Sequence, residues 1–241
     1  MEKKKEKEKN LHIAADKAGW SFHNIENQFE IHVAKSVPFY HEGQNLICRF
    51  SDYFLVKDSL IYDVGTATGL LARRLLDWNK SKESIRLVGI DSVESMIKKA
   101  TELDHEDPRS IYVCEDLVSY ELEPCSLVTS YYTIQFIHPH YRQDVFNKIY
   151  RSLHYGGALI IFEKTRGCDA RFQDYFTQIY NDFKLDQGFT EEEIINKIRS
   201  LKGVLEPFSE QGNLDLMRRA GFVDISTIFK WINFHGWLAI K

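Results

Sequence analysis

Apolar positions along the chain follow two alternating rhythms. Short apolar runs, read as buried strands, recur at Ser59–Val64, Ile85–Asp91, Ile111–Cys114, Leu127–Ile134 and Ala158–Phe162. Between them apolar residues return at helical spacing. Leu70, Leu71, Leu75 and Leu76 form one such stripe, with Arg73 and Arg74 on its wet side. Met96 and Ile97 belong to a helix that Ser92 is placed to cap. Val145, Phe146, Ile149 and Leu153 form another stripe within Tyr141–Leu153, followed by a C-cap and turn at Tyr155-Gly-Gly157. An amphipathic stretch, Gln44–Lys57, precedes the first strand. Strands alternating with helices predict an α/β fold with a mostly parallel sheet.

After Phe162 the rhythm changes. Phe172–Phe183, Thr190–Leu201 and Asn213–Ala220 read as helices, with Thr190 and Glu193 at capping-box spacing and Gly221 ending the last. Phe222–Phe229 and Trp231–Ile240 are separated by Lys230 alone, too short for a parallel crossover, so they are expected to form an antiparallel pair. The expected organisation is a charged, flexible tail and N-terminal segment at 1–20, then one domain over 21–241 with a helical insertion at about 171–212.

The 241 residues are 44% hydrophobic and 27% charged, enough to bury a core without disulfide or metal staples. A net charge of -4 argues against a broad basic surface, so tight nucleic-acid binding is not expected. No apolar run reaches the roughly 18 residues of a membrane span, and the charges of Met1–Lys9 lead into no leader-like apolar stretch. Among Cys48, Cys114, Cys125 and Cys168 there is no Cys-x-x-Cys, and three lie in apolar or strand-like contexts. Buried free thiols and a cytoplasmic location are expected. His138-Pro-His140 has metal-ligand spacing but no identifiable partner, so it reads as an exposed loop and no metal is expected.

The first strand runs into Gly65-Thr-Ala-Thr-Gly69 and then a helix. Such a turn offers backbone N–H groups and the positive end of a helix to a ligand. Asp91 stands at the tip of the next strand, where a carboxylate can accept from both hydroxyls of a ribose. Asp116 ends the third strand, where an acid can meet an adenine amine. The glycine pattern is not the dinucleotide fingerprint, because its sixth position is Leu70. With the antiparallel terminal pair, these features resemble the class I S-adenosylmethionine (SAM) methyltransferase fold. That resemblance implies a Rossmann-like seven-stranded sheet in the order 3-2-1-4-5-7-6.

The chain further resembles the carboxy-S-adenosylmethionine synthase family, from about Phe22 to Lys241. The resemblance is carried by Ser36-Val-Pro-Phe-Tyr40, Tyr62-Asp-Val-Gly65, Gly89-Ile-Asp91, Thr133-Ile-Gln-Phe136, Gly156-Gly-Ala-Leu159 with Glu163-Lys164, Asp182-Phe-Lys184 with Gly188, Arg199-Ser200 and Asn233-Phe234. It implies SAM or carboxy-SAM as cofactor, held at Tyr40, Gly65, Thr66, Ala67, Asp91, Ser92, Asp116 and Leu117, and a homodimer. It also implies that Arg199 holds a carboxylate; on the helix itself, the apolar neighbours Ile195 and Ile198 are expected to be buried and to aim it inward. Two positions depart from the family: Gly65-Thr-Ala stands where it reads Gly-Cys-Ser, and Tyr131 where it has an asparagine that contacts the cofactor. Tyr131 reads either as a packed aromatic or as a residue bordering the methyl group, orienting an acceptor or serving as general base.

Three readings follow. The first is a SAM-dependent one-carbon transferase acting on a small carboxylate-bearing metabolite, with Arg199 and Tyr131 as catalytic residues. The second is a carboxy-SAM synthase using prephenate to supply wobble-uridine modification of tRNA. The third is a SAM-binding partner protein without turnover.

Overall fold

The computed structural model describes residues 29–82 and 84–241. The expected tail at 1–20 lies outside the described residues. Seven strands form one sheet in the order β3-β2-β1-β4-β5-β7-β6. They are β1 (Leu60–Val64), β2 (Arg86–Asp91), β3 (Ser110–Cys114), β4 (Cys125–Tyr131), β5 (Leu153–Lys164), β6 (Asp224–Trp231) and β7 (Phe234–Ile240). The first five pair in parallel, and β7 runs antiparallel to both β5 and β6. This is the class I methyltransferase topology.

The helices are α1 (Phe29–Ser36), α2 (Tyr40–Ser51), α3 (Leu70–Trp78), α4 (Glu94–Leu103), α5 (Pro139–Ser152), α6 (Ala170–Asp186), α7 (Glu191–Ser200) and α8 (Glu210–Ala220). Successive strand residues point to opposite faces, and both faces are covered. Tyr62, Val128, Leu159 and Ile161 pack with Phe146 and Ile149 of α5 and Met217 of α8. Ile61, Leu127, Ile160 and Phe162 pack with Ile47 of α2 and Leu71, Leu75 and Leu76 of α3.

Several boundaries differ from expectation, each for a local reason. α2 ends at Ser51 rather than continuing to Lys57. β4 stops at Tyr131 because Tyr132 takes φ +63° and a 3-10 turn follows at Ile134–Phe136. No turn separates α5 from β5: Tyr155-Gly-Gly157 lies inside the strand, where Gly156 N donates to Lys241 O (2.8 Å). α4 begins at Glu94 with Val93, not Ser92, at its N-cap, and no side chain caps it. The break between the last strands falls at Ile232-Asn233 rather than Lys230, with Ile232 at φ +51°. Cys48 and Cys125 are buried, whereas Cys114 is exposed at the end of β3, as is Cys168; all four are free. His138 caps α5 by accepting from His140 N (3.2 Å). The expected capping box of α7 is present, with Thr190 and Glu193 bonded reciprocally.

Candidate functional site

The five residues between β1 and α3 form the turn at the carboxyl end of the sheet. Strand order reverses between β1 and β4, which leaves a crevice there. Gly65 takes φ +74°, and a Cβ on it would stand 2.0 Å from Thr133 Oγ1. Ala67 also holds a positive φ of 49°, tolerable for a small side chain. Gly65 N and Thr66 N both donate to Ile90 O (2.8 and 3.0 Å), fastening the turn to β2.

The acids extend this framework. Ala67 N donates to one Asp91 carboxylate oxygen and Val93 N to the other, each at 3.0 Å. Burial pushes the Asp91 pKa upward against those bonds. Asp63 is buried behind the turn and accepts from the Thr66 and Thr129 hydroxyls, both at 2.8 Å. Burial pushes its pKa up to about 6. Asp116 is exposed after β3 and accepts from Val118 N (2.8 Å), with Leu117 buried beside it.

A cavity of about 1360 Å³ opens over this end of the sheet. All nine residues expected on the cofactor side line it: Tyr40, Gly65, Thr66, Ala67, Asp91, Ser92, Asp116, Leu117 and Tyr131. Its volume exceeds the roughly 300–1000 Å³ typical of a single small-molecule site, leaving room for a second molecule.

Tyr131 is built in as a packed donor. Its ring meets those of Tyr132 (4.8 Å), Phe162 (5.1 Å) and Tyr40 (5.2 Å). Its hydroxyl donates to Tyr40 O at 2.6 Å. Gly43 makes this fit possible, since a Cβ there would stand 2.3 Å from the phenol oxygen. Burial drives the Tyr131 pKa well above that of a free phenol. A neutral phenol whose proton is directed at a backbone carbonyl is not poised as a general base near neutral pH, which corrects that expectation.

Arg199 is also placed differently. It is exposed on α7 and does not line the cavity, although Lys197, Ile198 and Ser200 do. Ile195 and Ile198, expected as buried neighbours, are 48% and 51% exposed. The helical turn that aims Lys197 inward carries Arg199 outward.

The cationic groups that do enter the cavity are Lys164, Lys184 and Lys197, to which sequence reasoning assigned no role. Lys164 Nζ lies 4.1 Å and Lys184 Nζ 4.5 Å from the Tyr180 ring centroid. Burial, and for Lys164 and Lys197 repulsion from Lys184 as well, lowers their pKa values to about 7 for Lys164, 8 for Lys184 and 7 for Lys197. A readable signal existed. Lys184 follows Tyr180 by one helical turn, and Lys164 follows the apolar strand tip at Phe162.

Helices α1, α6 and α7 supply the walls above this end. Glu30 fixes α1 by accepting from the Thr68 hydroxyl (2.8 Å) and from Arg73 (3.2 Å). Tyr180 OH donates to Ser36 O (2.8 Å), tying α6 to α1. Arg73 is therefore a tether rather than a purely solvated residue, and Arg74 likewise donates to Gln44 (2.9 Å) and Asn45 on α2.

Comparison with known proteins agrees with this geometry. The methyltransferase-domain family matches residues 61–157. The chain is 36% identical over 225 residues to the carboxy-S-adenosyl-L-methionine synthase of Staphylococcus epidermidis, covering 92% of this chain and 97% of that protein. It is 33% identical over 218 residues to the synthase of the same name from Nautilia profundicola, covering 90% and 92%. Among solved structures, human N-acetylserotonin methyltransferase in complex with SAM aligns with a TM-score of 0.58 at 15% identity, over 90% of this chain and 56% of that one. Phosphoethanolamine N-methyltransferase 2 of Haemonchus contortus, also with SAM, aligns with a TM-score of 0.59 at 18% identity, over 84% and 52%. The glycine turn, the Asp91 carboxylate and the room above them fit SAM as cofactor.

Proposed function

Because the chain belongs to the carboxy-S-adenosyl-L-methionine synthase family, we propose that it is a SAM-dependent one-carbon transferase acting on a small carboxylate-bearing metabolite. The observation that carries this reading is the single cavity with two unlike ends. One end is the glycine turn with Asp91 and Asp116; the other is lined by lysines from β5, α6 and α7. Asp91 on β2 and Lys164 on β5 are separated by three strand intervals, about 14 Å at the usual 4.7–4.9 Å spacing. That span suits a cofactor and a substrate placed end to end.

When bound, SAM supplies a methyl group made electrophilic by its sulfonium. The protein's own part is mainly placement, which accounts for much of the barrier reduction in such transfers. Asp91 offers its remaining lone pairs to ribose hydroxyls, and the turn, fastened to Ile90 and Asp91 by its own Gly65, Thr66 and Ala67 N–H groups, gives the cofactor a rigid floor. Tyr131 and Tyr40 form a rigid aromatic wall, and α1, α6 and α7 limit the entry of water. We place the protein in the cytoplasm as a homodimer, without tight binding to tRNA. In support, the net charge is -4, and no described helix is long and apolar enough to cross a membrane.

The second reading, carboxy-SAM synthesis, is favoured by the nearly full-length match to relatives of that name. Against it stand Tyr131, in place of the family asparagine, and the outward placement of Arg199. The mass spectrum of the nucleotide that copurifies with the full chain distinguishes the two. SAM or its demethylated product is expected; a species heavier by one carboxyl group would overturn the first reading in favour of the second.

A further inference from the structure

After β3 the chain makes one tight turn, and Glu115, Asp116, Leu117, Val118 and Ser119 line the cavity. The N–H groups of this turn are gathered by Asp116. Val118 N donates to its carboxylate (2.8 Å), and Ser119 N and Tyr120 N donate to its backbone carbonyl (3.0 and 2.9 Å). The carbonyls of the turn are gathered from the opposite side by Lys148 of α5. Its Nζ donates to Leu117 O (3.0 Å), Val118 O (2.8 Å) and Tyr120 O (2.7 Å). An ammonium has three N–H donors and no acceptor, so the stretch 117–120 alone saturates Lys148. The carbonyl end of a helical turn carries partial negative charge, which a cation stabilises. Lys148 itself does not line the cavity.

Apolar packing acts on the same turn. Leu117 is buried, and the Tyr120 ring lies 6.3 Å from that of Tyr62. Such packing is not directional: it keeps the turn on the core without fixing where its polar atoms point. Three charge-assisted hydrogen bonds do fix that direction. One Asp116 oxygen is committed to Val118 N, which leaves the second to a donor in the cavity. Resting on the reading of SAM as cofactor with its base at Asp116, we propose that Lys148 is a positioning residue for recognition of that base. By holding the turn from behind, it aims the second Asp116 oxygen at the adenine amine. It thereby sets the preference of the site for adenine over a base with a carbonyl in the same place. Lys148 touches neither cofactor nor substrate and acts through the turn.

Calorimetry on the full chain tests this with S-adenosylhomocysteine and S-inosylhomocysteine, which carries a carbonyl where adenine has its amine. The parent should prefer the adenosyl ligand at least about tenfold, since the inosyl base turns an acceptor toward an acceptor. Lys148→Met keeps the length of the stem and removes all three donors. It should bind S-adenosylhomocysteine about five- to tenfold more weakly and S-inosylhomocysteine within about twofold of the parent, so that most of the preference disappears. Asp116→Ala should erase the preference in the same way. Adding Lys148→Met to Asp116→Ala should then change neither affinity by more than about twofold, because both act on one contact. Lys148→Gln provides a second variant should methionine repack the turn.

A lysine that only stabilises the turn gives a different result: a lower melting temperature, both ligands weakened equally or not at all, and the preference intact. That result overturns the proposal. So does a parent that binds both ligands equally, or losses from Lys148→Met and Asp116→Ala that simply add. Failure of the parent to bind S-adenosylhomocysteine would instead contradict the reading of SAM as cofactor.

Discussion

The two ends of the cavity are made by opposite means. At the glycine-turn end the acids are satisfied within the protein: Asp63 by two threonine hydroxyls, Asp91 by two backbone N–H groups, Asp116 by another. These groups come from a short stretch of chain and the next two strand tips. At the lysine end the charges come from β5, α6 and α7, and Lys164 and Lys184 face a ring rather than a described acid. The first end is held rigid before any ligand arrives. The second places the Lys164 and Lys184 ammonium groups beside the Tyr180 ring.

Substitution at the turn should have the largest effect. Gly65→Ala forces a Cβ to within 2.0 Å of Thr133 Oγ1 at φ +74°. Strain and overpacking together should cost about 2–4 kcal/mol in urea unfolding. A loss below 1 kcal/mol, as an order-of-magnitude threshold for a mild surface change, would show that the turn is softer than its contacts imply.

Next comes the aromatic wall between the ends. Gly43→Ala should cost about 1–3 kcal/mol, because its Cβ meets the Tyr131 hydroxyl at 2.3 Å. Tyr131→Phe removes that oxygen, so the double variant should recover part of the loss. A double-mutant cycle measures the coupling, and strictly additive losses would mean the two positions do not share the space.

The lysine end should show itself in pH dependence without ligand. The folded pKa of Lys164 lies near 7, below that of an ordinary lysine, under burial and the charge of Lys184. Lys197 on α7 and His32 on α1 border the same cavity. At pH 7 the folded state still pays for a partly protonated, crowded ammonium. Between about pH 7 and 10.5 the unfolded chain binds more protons at this group, so its contribution to stability improves as pH rises. The thermal stability advantage of Lys164→Met over the parent should therefore be larger at pH 7 than at pH 9. An advantage that is constant, or grows with pH, would contradict the crowding.

The smallest effect is expected at Arg199. Exposed on α7 and away from the cavity wall, Arg199→Ala should leave SAM affinity within about twofold, as for most surface changes. A tenfold loss would restore it to the site.

What could be read from sequence divides along the same line. The strands, their alternation with helices and the glycine turn were legible because apolar period, turn chemistry and strand-tip acids are local patterns, whereas the strand order came from the resemblance to the methyltransferase fold. Asp91 needed only its distance from the turn. Tyr131 was recognised as unusual, yet its role depended on Gly43, far away in sequence, and on a carbonyl of Tyr40. Arg199 illustrates the limit: one position along a helix rotates a side chain by about 100°, enough to exchange cavity for solvent. The early start of β5 was missed because a helix passing directly into a strand leaves no turn residues to mark it. The spacing of Lys184 from Tyr180 hints at one ring contact, but the convergence of Lys164, Lys184 and Lys197 on one cavity is tertiary.

The most direct measurement compares SAM affinity across the two ends by calorimetry on the parent, Asp91→Ala and Lys184→Met. Asp91→Ala should lose about 1.5–3 kcal/mol of SAM binding, the value of hydrogen bonds to a charged group, while Lys184→Met stays within about twofold of the parent. A folded Asp91→Ala protein that binds SAM as the parent does, or a Lys184→Met protein that loses as much as Asp91→Ala, would contradict the division of the cavity into a cofactor end and a substrate end.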